Sequence, residues 1–225
     1  MTVYQLNNDL IFPDPGRANP DGLLAIGGDL SVTRLLLAYQ LGIFPWYEEG
    51  YPILWWSPPR RCVLDPSAFH VSRSLGRLLR QERFTITFDQ AFPEVMRACA
   101  ETRIDEGKGT WITEDMIDAY CTLHETGFAH STETWYEGRL AGGIYGVSLG
   151  SAFFGESMFK RVTNASKVAF ASLARRLSDW QFTMIDCQIT NPHLHSLGSY
   201  EITRAEFLRR LAQALTFPTR VGKWT

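Results

Sequence analysis

Several common chemical signatures are missing from this 225-residue chain. Its four cysteines, Cys62, Cys99, Cys121 and Cys187, include no pair at metal-ligand or redox spacing. His193 and His195 have no cysteine pair nearby, so a zinc site and a disulfide scaffold are both excluded, and reduced thiols are expected. There is no Gly-x-Ser-x-Gly elbow and no P-loop. The opening Met-Thr-Val-Tyr-Gln lacks a basic region followed by an apolar run, and no apolar stretch reaches spanning length, so a cytoplasmic location is expected. Repeats and low-complexity stretches are absent. The net charge is only -2, so contact with nucleic acid requires a local patch rather than the whole molecule's field.

What is present is 45% hydrophobic, enough for one large domain or two small ones with a substantial core. Residues 1–30 are rich in turn residues and read as an irregular segment pinned by Leu23, Leu24 and Ile26. Ser31 is a good N-cap for a helix to about Leu41, stopped by Gly42. Gly42–Tyr47 and Pro52–Pro59 read as two rigid aromatic loops, closing a small N-terminal module at residues 1–62 and leaving a second domain at 63–225.

Ser72 caps a helix to about Glu82 on which Arg73, Arg77 and Arg80 share one face. Residues 60–83 hold six arginines against Asp65 and Glu82, a local excess of positive charge. Two readings stand: a solvated helix face, or a stripe that meets phosphates. Phe84–Phe88 alternates as a strand, and helices are expected at about 91–101 and 114–126. The segment 106–112 between them reads as a flexible loop presenting Trp111. Residues 129–159 form a three-stranded meander with turns at Glu137-Gly138 and Leu149-Gly150. Strict alternation in its third strand puts Phe153 and Phe159 on one face, and Glu156 and Met158 on the other. Asn164 opens a helix to about Ser178. The strand 181–189 follows, then a short loop or helix from Asn191 and a capping box, Thr203 to Glu206, that starts a final helix.

The strand 181–189 is the most unusual stretch. Alternation places Phe182, Met184, Asp186 and Gln188 on one face, so a carboxylate and an amide sit on an otherwise apolar surface. Burying a carboxylate is costly without a partner. Asp186 reads either as a functional group or as a strand-end cap. His193 and His195 nearby read as structural hydrogen-bonders.

Meander, helix, strand, helix is the order of an acetyltransferase-like (GNAT-like) domain, so an α+β fold with a mixed sheet is expected. Such domains bind coenzyme A through a glycine-rich turn at the helix N-terminus. Here that place reads Phe159-Lys-Arg-Val-Thr-Asn-Ala-Ser-Lys167, without glycine, which argues against coenzyme A.

Eleven blocks then align in order with one known family. They are Phe12-Pro-Asp-Pro, Asp21-Gly-Leu-Leu-Ala, Gly27-Gly-Asp-Leu-Ser31, Arg34-Leu-Leu, Ala38-Tyr39, Gly42-Ile-Phe-Pro-Trp46, Ile53-Leu-Trp-Trp-Ser-Pro58, Gly109-Thr-Trp-Ile112, Gly155-Glu-Ser-Met-Phe159, Asn164-Ala-Ser-Lys167 and Ile185-Asp-Cys-Gln188. The chain resembles the leucyl/phenylalanyl-tRNA–protein transferases over about residues 4–200; the final helix and tail match weakly. The resemblance implies transfer of Leu, Phe and, less well, Met from aminoacyl-tRNA to proteins starting with Arg or Lys, which marks them for N-degron (N-end rule) proteolysis. It implies no cofactor and no metal, and a monomer is expected. By the same resemblance Asp186 and Gln188 are the central polar pair. Trp46 and Trp111 hold the terminal adenosine, with Tyr39 and Tyr120 beside it. Glu156 and Asn191 line the site as polar groups. Ile144, Phe153, Met158, Leu173, Leu177 and Ile185 form the pocket for the transferred side chain. The family's best-known member has methionine at the position of Ile144 and phenylalanine at those of Leu173 and Leu177, so this pocket stays apolar with a different shape.

Physically, aminolysis of the donor ester is downhill, and an α-amine of pKa about 8 is partly neutral near pH 7. A strong base is not required. Gln188 is expected to accept a hydrogen bond from the attacking amine and fix its path. Asp186 is expected to orient Gln188 or, with Glu156, to draw in the acceptor's positive charge.

Overall fold

The computed structural model describes residues 3–105, 107 and 109–225. Glu106 and Lys108 of the expected 106–112 loop lie outside the described residues.

The chain begins with β1 (Tyr4–Leu6), β2 (Leu23–Gly27), α1 (Val32–Gln40), β3 (Phe44–Pro45) and β4 (Leu54–Trp56). These strands make a small sheet in the order β1-β2-β4-β3, with β1 and β2 parallel. The expectation of irregular chain over 1–30 and of two aromatic loops is thus corrected to four short strands. Strands of two to five residues show too little alternation to be read from a sequence. Packing rather than pattern holds them. Trp55 is fully buried, sends its indole N–H to the Gly27 carbonyl at 2.8 Å and meets Phe12 edge-on at 4.9 Å. Ser31 caps α1 as expected, accepting from the Arg34 N–H. The buried Arg34 side chain donates to the carbonyls of Asn7 and Asp9 and to Asp29, which ties down the N-terminal segment. Gly42 ends the helix at φ +70, where a Cβ would stand 2.8 Å from Phe207 and Leu208.

The rest of the chain runs β5 (Arg60–Leu64), α2 (Arg73–Arg80), β6 (Thr85–Phe88), α3 (Phe92–Asp105), α4 (Glu114–Glu125), β7 (Ala129–Tyr136), β8 (Arg139–Leu149), β9 (Ala152–Lys160), α5 (Ala165–Asp179), β10 (Met184–Gln188), α6 (Pro192–Ser196), β11 (Tyr200–Thr203) and α7 (Arg204–Ala214). A seven-stranded sheet forms in the order β11-β5-β10-β9-β8-β7-β6. All neighbours are antiparallel except β9 and β10. The fold is mixed α+β with an acetyltransferase-like arrangement: a meander β7-β8-β9, the helix α5, then β10 parallel to β9. Neither β5 nor β11 is visible in the sequence, and the expected division after residue 62 falls within β5.

The two largest apolar cores lie on the sheet's two faces, and a smaller third gathers Leu75, Phe84, Ala141, Ala165 and Val168. One joins the small sheet, α1, α3 and α4 to Tyr145, Val147, Phe154, Phe159 and Met184. The other lies under α5 and includes Ile144, Phe153, Phe170, Leu173, Leu177, Phe182 and Ile185. The C-terminal tail completes this second core. Trp224 stacks on His130 at 3.8 Å, and its backbone N–H donates to the buried Asp89 at 2.7 Å. Each large side chain so buried contributes roughly 1.5–3 kcal/mol.

A strand glycine explains why α5 packs closely. A Cβ on Gly142 of β8 would lie 2.6 Å from the Ala165 Cβ at the start of α5. The Arg161 and Val162 amides both donate to the Ala141 carbonyl, so they are committed to the sheet and not to a phosphate.

Candidate functional site

Two bulges shape the site. Pairing between β9 and β10 runs from Ala152 opposite Met184 to Phe154 opposite Asp186 and then stops. In β9 the register against β8 slips where Tyr145 faces Ser157 and Gly146 faces Gly155, so Glu156 is the extra residue. In β10 the register against β5 slips between Asp186 and Gln188, so Cys187 is the extra residue, and Gln188 takes φ +58. A bulge bends its strand and re-aims its side chains. Here the two strands part, and a cavity of about 400 Å³ opens between them. The floor holds Ile144, Met158, Phe170, Ile185 and Leu194; Glu156, Gln188 and Asn191 are polar members; Phe44, Pro45, Trp46 and Trp111 wall one side.

Two alternation expectations are overturned, the first by the bulge in β9 and the second by where β10 begins. Phe153 belongs to the core under α5 while Phe159 belongs to the opposite one, and Met158 sides with Phe153. Phe182 and Met184 are likewise on opposite cores, since β10 begins only at Met184.

Asp186 is fully buried and does not line the cavity. Arg61 of β5 clasps it in a fork, Nε to Oδ1 at 2.9 Å and an Nη to Oδ2 at 2.7 Å. The other guanidinium nitrogen donates to the Gly42 carbonyl at 3.1 Å, and the guanidinium lies over the rings of Phe44 and Phe207. Asp186 Oδ1 also accepts the backbone N–H of Gln188 at 2.9 Å, which fixes the bulge. The expectation that Asp186 draws in a cation is therefore corrected: its charge is already neutralised. Its side-chain contact with Gln188 is to the backbone N–H, not to the side-chain amide. Arg61 went unrecognised because it was counted in the basic stretch. The signal was there, since it directly precedes the apolar run Cys62-Val63-Leu64 and a buried Asp186 demands a partner.

Gln188 sends its amide N–H to Glu156 Oε1 at 2.8 Å, leaving the amide oxygen as the group it offers the cavity. Tyr39 donates to the same Glu156 oxygen at 2.7 Å, and its hydroxyl is in turn hydrogen-bonded to that of Tyr120. Tyr39 and Tyr120 are wholly buried and do not line this cavity, so they brace Glu156 rather than face an adenosine. Burial pushes the Glu156 carboxyl from its ordinary 4.5 up to about 8; the nearby Asp186 adds to the rise, while Tyr39, Arg61 and Gln188 oppose it. Glu156 is therefore largely neutral at pH 7.

The remaining expected residues divide by place. Trp46 and Trp111 meet edge to face, ring centres 6.1 Å apart, at the cavity wall. Asn191 lines the cavity and caps α6, its Oδ1 accepting the Leu194 N–H. Ile144, Met158 and Ile185 line the cavity; Phe153, Leu173 and Leu177 sit behind them in the same core. Phe170 and Leu194 were missed, because helix-borne apolar residues look alike in sequence. Arg73, Arg77 and Arg80 are exposed on α2. His195 bonds Thr190 and the Ser199 carbonyl, a structural role. Among the described residues no group of three or more His, Cys, Asp or Glu could hold a metal, and no helix is long and apolar enough to cross a membrane.

The family model for leucyl/phenylalanyl-tRNA protein transferase matches residues 63–212, and that for its N-terminal domain matches 28–59. Proteins named leucyl/phenylalanyl-tRNA–protein transferase are similar end to end. That of Desulfatibacillum aliphaticivorans is 58% identical over 100% of this chain and 97% of its own length. The chain belongs to the leucyl/phenylalanyl-tRNA protein transferase family. The Syntrophotalea carbinolica relative is 58% identical over 97% of this chain and 95% of its own. A GCN5-related N-acetyltransferase from Kribbella flavida overlays at TM-score 0.39 and 9% identity, over 73% of this chain and 58% of that one, too loosely to bear on function. As a leucyl/phenylalanyl-tRNA–protein transferase family member the chain is an aminoacyltransferase, with aminoacyl-tRNA and protein as its substrates.

Two predictions follow the geometry. Asp186→Asn leaves Arg61 buried and uncompensated and should cost about 3–5 kcal/mol in urea denaturation; a loss under about 1 kcal/mol would refute the clasp. Between about pH 4.5 and 8 the folded chain keeps a proton on Glu156 that the unfolded chain has released. Stability is therefore lost as pH rises through that window. Glu156→Gln should remove this penalty, so its gain in thermal midpoint over the parent should be larger at pH 8 than at pH 5. A difference that does not vary with pH would contradict the raised carboxyl.

Proposed function

We propose that this cavity transfers leucine, phenylalanine and, less efficiently, methionine from aminoacyl-tRNA to the N-terminal α-amine of proteins that start with Arg or Lys, marking them for N-degron proteolysis. The chain acts as a cytoplasmic monomer. Its part up to about residue 62 lends Phe44, Pro45 and Trp46 to the wall, and the part from 63 onward carries the chemistry. The observation that carries this reading is the meeting, in one cavity, of Gln188, an apolar floor and the Trp46/Trp111 wall.

Trp46 and Trp111 hold the terminal adenosine by ring contact. The transferred side chain enters the floor of Ile144, Met158, Phe170, Ile185 and Leu194. Phe153, Leu173 and Leu177 set the depth from behind. An apolar floor separates side chains that differ by a methylene by only about 1–3 kcal/mol, so acceptance of several apolar residues is natural. The amide oxygen of Gln188 accepts from the attacking amine and aims it at the ester carbonyl. A carbon–nitrogen bond forms, the bond to the ribose oxygen breaks, and the proton lost by the amine ends on that oxygen. Holding the two reactants in line supplies the catalysis. Arg73, Arg77 and Arg80 contact the phosphate backbone of the donor.

Single-turnover assay with Leu-tRNA and an Arg-starting peptide tests the reading directly, and absence of transfer would end it. Gln188→Ala should slow that transfer about a hundredfold with little change in donor affinity; equal losses in both would make Gln188 a donor-binding residue. For the α2 stripe, replacing all three arginines with alanine should flatten the slope of log affinity for Leu-tRNA against log salt by roughly two to three. An unchanged slope would leave the stripe a solvated face.

A further inference from the structure

A basic acceptor finds no free negative charge in the transfer cavity. Asp186 is clasped by Arg61, and the half-buried Glu156 accepts from Tyr39 and Gln188, its carboxyl raised to about 8. The charge that selects Arg and Lys must therefore stand elsewhere.

A second cavity of about 320 Å³ adjoins the first and shares Trp46 and Trp111 with it. Its walls are Trp46, Tyr47, Tyr51, Trp56 and Trp111, with Glu48 among them. None of the described residues lining it is Lys or Arg. The β3–β4 hairpin builds it: Trp46 N–H donates to the Leu54 carbonyl at 2.9 Å, and the Trp56 indole N–H donates to the Trp46 carbonyl at 2.7 Å. The rings are inclined, Trp46 to Trp56 at 58° and Trp46 to Trp111 at 89°. On this side of Trp46 the inclined rings offer no pair of parallel faces between which a flat base could be sandwiched. A corner of steeply inclined rings beside a carboxylate instead presents negative ring faces to a cation. Negative charge at Glu48 also disfavours a phosphate backbone.

We propose that this aromatic chamber receives the guanidinium or ammonium of the acceptor's first side chain, while the acceptor's α-amine lies at Gln188. The proposal rests on the transfer reading above and gives it a place for acceptor selection. The stem of an Arg or Lys side chain passes along the indole of Trp46, and its head meets the rings and Glu48. The chamber reads the side chain, and the first cavity reads the amine.

The test compares peptides that begin with Arg or with citrulline, its neutral isostere, each with Leu-tRNA as donor. If the unaltered enzyme transfers to neither, the transfer reading itself fails, and this proposal with it. If it transfers to both equally, the transfer reading survives and the chamber proposal is overturned. Otherwise Glu48→Gln and Tyr51→Ala are measured; Tyr51 is 65% exposed and Glu48 is exposed, so neither supports the core. Each should lower the Arg-over-citrulline preference in kcat/KM by about three- to thirtyfold, mainly through KM for the Arg peptide. A preference unchanged in both variants overturns the proposal. So does its loss in Asp21→Asn/Glu201→Gln instead, which would move the cation to the cavity on the other side of Trp46. Weakened Leu-tRNA binding with the preference intact would also overturn it, giving the chamber to a nucleobase of the donor.

Discussion

Arg61 and Asp186 are the joint from which the site hangs. Two charges with side-chain exposures of 1% and 0% carry a large desolvation cost, and they are tolerated because the fork geometry, the Gly42 carbonyl and the Gln188 amide satisfy nearly every donor and acceptor. The pair joins β5 to β10 in the large sheet. Through Gly42 it also reaches the end of α1 and the approach to the small sheet. An apolar pair of the same volume could pack there, but it would hold neither the Gln188 backbone nor the Gly42 turn in place.

From that joint the functional groups follow in a chain of contacts. Asp186 sets the Gln188 backbone, Gln188 meets Glu156, Glu156 is braced by Tyr39, and Tyr39 by Tyr120. Five residues from β10, β9, α1 and α4 thus converge behind one cavity wall, drawing on both parts of the chain. The wall is polar yet nearly uncharged at neutral pH. That suits a reaction in which a neutral amine must attack, since an exposed carboxylate there would favour the protonated, unreactive ammonium.

Much of the large sheet was legible in the sequence because its elements are long and strongly signalled. The meander turns fall at Glu137-Gly138 and after Leu149, and Ser31, Ser72, Thr113 and Thr203 cap the helices expected of them. The short strands β1 to β4 were not, because two to five residues show too little alternation, and β5 and β11 were not, because β5 pairs with β10 and β11 from far along the chain. The polar strand residues stood out for their chemistry, but alternation misplaced their neighbours. A bulge of one residue leaves no local mark, and it appears only when the adjacent strand shows where register slips. Arg61 was hidden for a related reason, since a buried arginine and a surface one are the same letter until the carboxylate opposite is known.

The bulges at Glu156 and Cys187 bear on how such a gene can change. Losing the one codon at either position would do more than delete a side chain. It would erase the bulge: Met158 and Phe159 would keep their partners Ile144 and Gly143 and their present cores, but the strand would lose the bend that parts β9 from β10 and opens the cavity. Substitution within the cavity is a graded path by which descendants of this sequence can drift in preference; insertion or deletion in these two strands is a step across a gap. Lineages of this protein are therefore expected to vary at Ile144, Leu173 or Leu177 while keeping the length of β9 and β10 constant.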